Sequence, residues 1–72
     1  MDIDEVVFIV EEDKEAGGYS AVCHRYGIFT QGDDLDDLRA NVTEAFECRF
    51  EDEAVKPRQI RLHFIRDEVI AA

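Results

Sequence analysis

Four aspartates, Asp33, Asp34, Asp36 and Asp37, stand in the segment GDDLDDL. Carboxylates this close together could bind a divalent metal, work as an acid–base pair, or cap a helix. A calcium loop needs acids alternating along the chain, then a glycine and a distal glutamate, and this segment lacks that order. A two-metal nuclease gathers its acids from separate strands, and the first three strands read below carry none in their interiors. Capping needs less. Asp34 at the N-cap accepts an N–H bond from the first turn, and Asp37, three residues on, returns one as in a capping box. Asp36 and Asp37 also stand at the positive end of the helix dipole. Asp34 and Asp37 are therefore read as helix-capping residues, with no metal.

The other reactive side chains form no constellation. Cys23, His24, Cys48 and His63 are zinc-ligand types without C-x-x-C or H-x-x-x-H spacing. A Cys23–His63 nucleophile pair would rest on residue type alone, and Cys48 reads as a packing residue. Gly17, Gly18 and Gly32 belong to no phosphate-cradling loop. No catalytic, metal or cofactor-binding residue is assigned, and no cofactor is expected. Tyr19 and Tyr26 offer contact area with a polar tip, as interface anchors do. Lys56, Arg58, Arg61 and Arg66, half of the 8 bases, flank or occupy the last strand. With His63 they form a cationic stripe, read as pairing with the acids within the chain or across a dimer in preference to an RNA groove. The candidate partner-binding residues are Tyr19, Tyr26, Arg58, Arg61 and His63.

The elements that must position these side chains are legible from periodicity. EVVFIVEE, at 5–12, holds five consecutive apolar residues, with Val6, Phe8 and Val10 on one face and Val7 and Ile9 on the other. Two apolar faces mark a central strand. DKEAGG makes a turn with glycines for positive φ. Strands follow over 19–24 and 28–31, joined by HRYG and ended by Gly32. Leu35, Leu38, Val42, Ala45 and Phe46 then repeat at helical spacing, predicting a helix from Leu35 to about Phe50, and Pro57 lies beyond it. A last strand covers 59–66. The order β-β-β-α-β makes a meander plus a right-handed crossover that returns the last strand parallel to the first. The expected fold is α+β: one domain over 1–72, a mixed four-stranded sheet in the order 3-2-1-4, and one helix on one face. The other face needs a cover, for which a homodimer or higher homo-oligomer is expected.

Composition narrows the function. The chain has 72 residues, 46% of them apolar, with 18 acids against 8 bases and a net charge of −10. Nucleic-acid phosphates and anionic membranes call for cationic clusters, so a basic protein partner fits better than DNA or a membrane. Two isolated cysteines, an acidic start unlike a signal peptide and no apolar run near ~20 residues point to a cytoplasmic, soluble protein.

From the turn through the helix, EDKEAGGYSAVCHRYGIFTQGDDLDDLRANVTEAF resembles the HicB-like antitoxin family. The matching positions are Gly17, Gly18, Tyr19, Gly27, Thr30, Gly32, Asp33, Leu35, Leu38, Asn41, Glu44 and Ala45. The match covers roughly residues 5 to 50; HRYG lacks the prolines usual between the second and third strands. The resemblance implies a partial RNase H-like fold of β-β-β-α-β order. It also implies a non-enzymatic module that assembles as dimers or tetramers and masks a small basic HicA-like RNase toxin. No counterpart of the family's C-terminal DNA-binding segment is read in the chain, so operator binding is not expected. Two alternatives are a small-ligand- or RNA-binding regulator and a metal-dependent RNase H-like hydrolase using acids such as Asp33 and Asp34. Similar short chains carry the label of a 2-oxoisovalerate dehydrogenase subunit, but 72 residues without a phosphate or Mg²⁺ motif cannot supply a thiamine-type site.

Overall fold

The structure is a computed structural model and describes residues 5–72. Its elements are β1 (Glu5–Glu12), β2 (Tyr19–Cys23), β3 (Ile28–Gly32), α1 (Leu35–Phe50) and β4 (Gln59–Ile65). They form one four-stranded sheet in the order β3-β2-β1-β4, as the pattern of apolar residues requires. β2 pairs antiparallel with both β1 and β3, and β4 pairs parallel with β1. The boundaries differ slightly from the sequence reading. β2 stops at Cys23, so His24 belongs to the turn; β3 runs on through Gly32, and β4 stops at Ile65.

β1 is central because both its faces are apolar, and the two faces have different fates. Val6, Phe8 and Val10 are buried beneath the helix with Ala21, Cys23 and Ile28, against Leu38, Val42 and Phe50. Val7 on the opposite face is 38% exposed. α1 lies over β3 and β2, so β4 gains less cover and Phe64, although on the helix side, is 48% exposed. No charged or polar residue is buried among the described residues, as expected for so small a core, where an unpaired buried polar group would cost too much.

The turn between β1 and β2 is held by Asp13. Its Oδ1 accepts from the N–H groups of Glu15 and Ala16 at 3.1 and 3.0 Å, and its backbone carbonyl accepts from Gly17 at 2.8 Å. Gly18, at φ +85°, then brings the chain against β3, where a Cβ would stand 2.8 Å from the Gly32 carbonyl oxygen. The two glycines thus let the turn, β3 and the start of α1 approach backbone to backbone.

Candidate functional site

At the joint between β3 and α1 the aspartates act as a cap. Asp34 has extended dihedrals (φ −141°, ψ −179°), its Oδ1 accepts from the Asp37 N–H at 2.7 Å, and its carbonyl accepts from the Leu38 N–H at 2.9 Å. The return bond differs from an ordinary capping box. Asp37 Oδ2 accepts from the N–H of Asp33 at 2.9 Å, one residue upstream of the N-cap, because the strand enters the helix through Asp33 and presents that N–H to the first turn. Asp36 pairs with Arg39 at 3.1 Å on the exposed side. Among the described residues no three His, Cys, Asp or Glu side chains form a metal-holding group. Asp34→Ala is expected to cost about 1 kcal/mol. Equal losses in urea melts with and without added Mg²⁺ would mark a cap alone, and a loss confined to the Mg²⁺ series would mark a metal site.

A shallow depression opens beside this cap, lined by Asp13, Tyr19, Ser20, Asp33, Asp37 and Asn41 among others. Asn41 Nδ2 donates to the Gln31 carbonyl at 2.8 Å and ties helix to strand across its floor. Asp33 forms no ion pair among the described residues. The depression is therefore acidic, with one aromatic wall.

The sequence-derived candidates do not converge. Tyr19 stands at this depression, at the start of β2. Tyr26 lies in the β2–β3 turn with its ring edge-on to Phe50 at 5.0 Å, flanked by the guanidinium groups of Arg25 and Arg49 at 5.7 and 5.4 Å from the ring centre. Arg61 and His63 sit on the other face of the sheet, in register with Val7 and Ile9. Arg58 is exposed just ahead of β4. Cys23 faces the helix and is 1% exposed, which puts it on the opposite side of the sheet from His63 and rules out the Cys23–His63 pair.

The cationic stripe is partly neutralised. Arg61 binds Glu5 through two bonds, Nε to Oε1 at 2.8 Å and Nη2 to Oε2 at 3.0 Å, and the Gln59 amide donates to the same carboxylate. These bonds, Arg61's first and then Gln59's, hold the Glu5 carboxyl below its ordinary value, and Glu5 in turn raises Arg61. A depressed carboxyl contributes stability above the ordinary carboxylate range and loses it as the pH falls through the lowered folded value. The Arg61→Gln variant is expected to return the Glu5 titration, followed by carboxyl ¹³C NMR, toward its ordinary value. An unchanged Glu5 titration would mean that the pair does not persist in solution.

Sequence reasoning placed the β1–β2 turn but missed three features: the part Asp13 plays in it, the Gly18–Gly32 approach and the exposure of Phe29 on β3, which is 62%. The segment Thr30-Gln31-Gly32-Asp33, part of the family resemblance, held the signal for the second. The third could not be found without the sheet register.

Fold and joint together define a small α+β domain of β-β-β-α-β order whose clustered carboxylates cap its own helix. The chain is 39% identical over 67 residues to a UPF0150 protein of Thermotoga maritima, a match covering 93% of this chain and 91% of that one. It is 44% identical over 50 residues to a UPF0150 protein of Archaeoglobus fulgidus, covering 69% and 73% respectively. The chain belongs to the UPF0150 family. No family model matches it, and neither does any solved structure. No helix among the described residues is long and apolar enough to cross a membrane.

Proposed function

We propose that this chain is a non-enzymatic, cytoplasmic protein-interaction module of the HicB type, which binds and masks a small basic HicA-like RNase and works as a homo-oligomer. The observation that carries the reading is where the acid lies. The chain carries a net charge of −10, and among the described residues no charged side chain is buried. The depression walled by Tyr19 and lined by Asp13, Asp33 and Asp37 offers a lysine or arginine of a basic partner several carboxylates and an aromatic ring. Charge complementarity of this kind raises association rate and selects partners by sign. The residues of the HicB resemblance serve the same joint, with Gly18 and Gly32 in backbone contact and Asn41 bonded to the Gln31 carbonyl.

The test is affinity purification of the tagged protein from its native cells, with mass spectrometry and light scattering of the eluate. A small basic partner in fixed ratio is expected, retained by wild type and lost by Asp33→Lys, a change that keeps the backbone N–H used in the cap. Protection of RNA from that partner by the wild-type chain would complete the case. A clean homo-oligomer with nothing bound, from cells where the chain is abundant, would overturn the toxin-masking role. Binding of RNA by the chain itself, abolished by Arg58→Ala, would favour the RNA-binding alternative, against which the engagement of Arg61 by Glu5 weighs.

A further inference from the structure

The helix leaves one corner of its own side of the sheet open. α1 lies over β3 and β2, and near its start a groove runs between the β1–β2 turn and the segment after β4. Val10 pairs with Ala21 and Phe64, and Glu12 pairs with Tyr19, so Val10, Glu12, Tyr19 and Phe64 share the helix side. Tyr19, Leu35 and Phe64 give the groove an apolar floor, on which Phe64 is 48% exposed. Its rim is acidic, with six carboxylate side chains against the cations of Lys14 and Arg66. Both cations are engaged. Lys14 Nζ donates to the Asp67 carbonyl at 2.8 Å, and Arg66 lies 4.0 Å from Glu68. We infer that this groove is the docking site for a cationic amphipathic helix of a partner protein.

Size, charge and position choose that occupant. The groove holds about 1200 Å³, above the roughly 300–1,000 Å³ of small-molecule pockets. It suits the side of a helix, whose diameter with side chains is roughly 10–12 Å. The acidic rim attracts lysine and arginine and repels acidic segments, nucleic acid and anionic membranes. Position separates a helix from a strand. An extended peptide joining the free edge of β4 would lie in the plane of the sheet and leave Leu35 and Phe64 uncovered. A helix laid in a groove instead buries anchors from one apolar stripe. That stripe rests on Tyr19, Leu35 and Phe64, and its flanking cations face Glu12, Glu15 and Glu68. The depression at the helix cap shares Asp13 and Tyr19 with the groove, so a further cation of the same partner reaches Asp33 and Asp37.

The inference rests on the basic partner of the proposed function and adds the form in which that partner binds. The probe is a synthetic leucine–lysine peptide, about 14 residues long, with its leucines at helical spacing. A control peptide has the same composition in an order that forms no stripe. In titrations of the full chain the striped peptide is expected to bind roughly tenfold more tightly than the control and to gain helical circular dichroism when bound. Phe64→Ser is expected to weaken that binding roughly tenfold, and Glu15→Lys roughly threefold, with a smaller loss at high salt. Val7→Ser, on the opposite face of the sheet, leaves it unchanged. Phe64 and Glu15 are both exposed, so both variants keep the wild-type fold. Equal binding of the two peptides, a bound peptide without helix, or binding unchanged in both groove variants would overturn the inference. The failures separate. A native partner captured from cells and retained in full by Phe64→Ser would overturn the groove and leave the proposed function standing. Capture of no partner by wild type would remove the proposed function, and the peptide titration would still decide the groove.

Discussion

Gly32→Ala is expected to lower the melting temperature by more than 10 °C. The added methyl would meet the Leu38 N at 2.5 Å, the Leu38 Cα at 2.6 Å and the Asp37 carbonyl carbon at 3.0 Å. All three are backbone atoms of the first helical turn, so no side chain can swing aside. Relief requires the helix to lift from β3, which would part Leu38, 0% exposed, from the core and stretch the Asn41–Gln31 bond. Overpacking costs typically about 1–3 kcal/mol, and with no flexible neighbour the upper end applies. For a domain of this size each kcal/mol moves the melting temperature by about 4–8 °C. Thermal melts at one fixed chain concentration, because self-association would itself shift the midpoint, provide the check. A loss under 5 °C would mean that the helix does not rest on β3 as described.

Phe8→Ala should be harsher and leave no cooperative melt at 25 °C. Phe8 is 0% exposed in the middle of the central strand, within the cluster that joins Val6, Val10, Leu38 and Val42. Truncating a buried phenylalanine costs about 3–5 kcal/mol, and a core of this length supplies about the same in total. The adjacent Val7→Ala, on the open face, removes fewer buried atoms and should retain a cooperative transition. That contrast gives the test its direction: near-equal effects at the two positions would mean the helix covers the wrong face in this description. Circular dichroism melts read both.

The fold was largely legible because each element carries a local signal that agrees with the global arrangement. The five-residue apolar run of β1 demanded a central place, and the glycines and Asp34 punctuated the turns and the helix start. Sheet order then followed from a crossover of fixed hand. The candidate site was less legible, because side chains far apart in sequence meet only through register. Phe29 reads as one apolar residue of a short strand. Only pairing with Val22, and through it with Ile9 and His63, makes it the end of a row. Asp13 reads as loop polarity, although its carboxylate organises the β1–β2 turn. Tyr19 and Tyr26 looked equivalent as anchors. Tyr26 meets Phe50 edge to face and packs against the core, while Tyr19 walls the depression.

The parallel pairing of β1 with β4 sets the order of events as the chain is made. Glu5 meets Gln59, and Glu11 meets Ile65, so the sheet closes only between residues more than fifty apart in sequence. The meander and helix need only neighbouring contacts, but β1 lacks its second neighbour until the last strand has been synthesised. Distant pairing must meet its loop-closure entropy before it gains any contact. Until β4 joins, the meander and helix present a three-stranded sheet with an open edge on β1, the strand with five consecutive apolar residues. That edge is where a nascent chain would misjoin with another. Pairing of β4 with β1, and not the formation of the helix, is the step that completes this sheet.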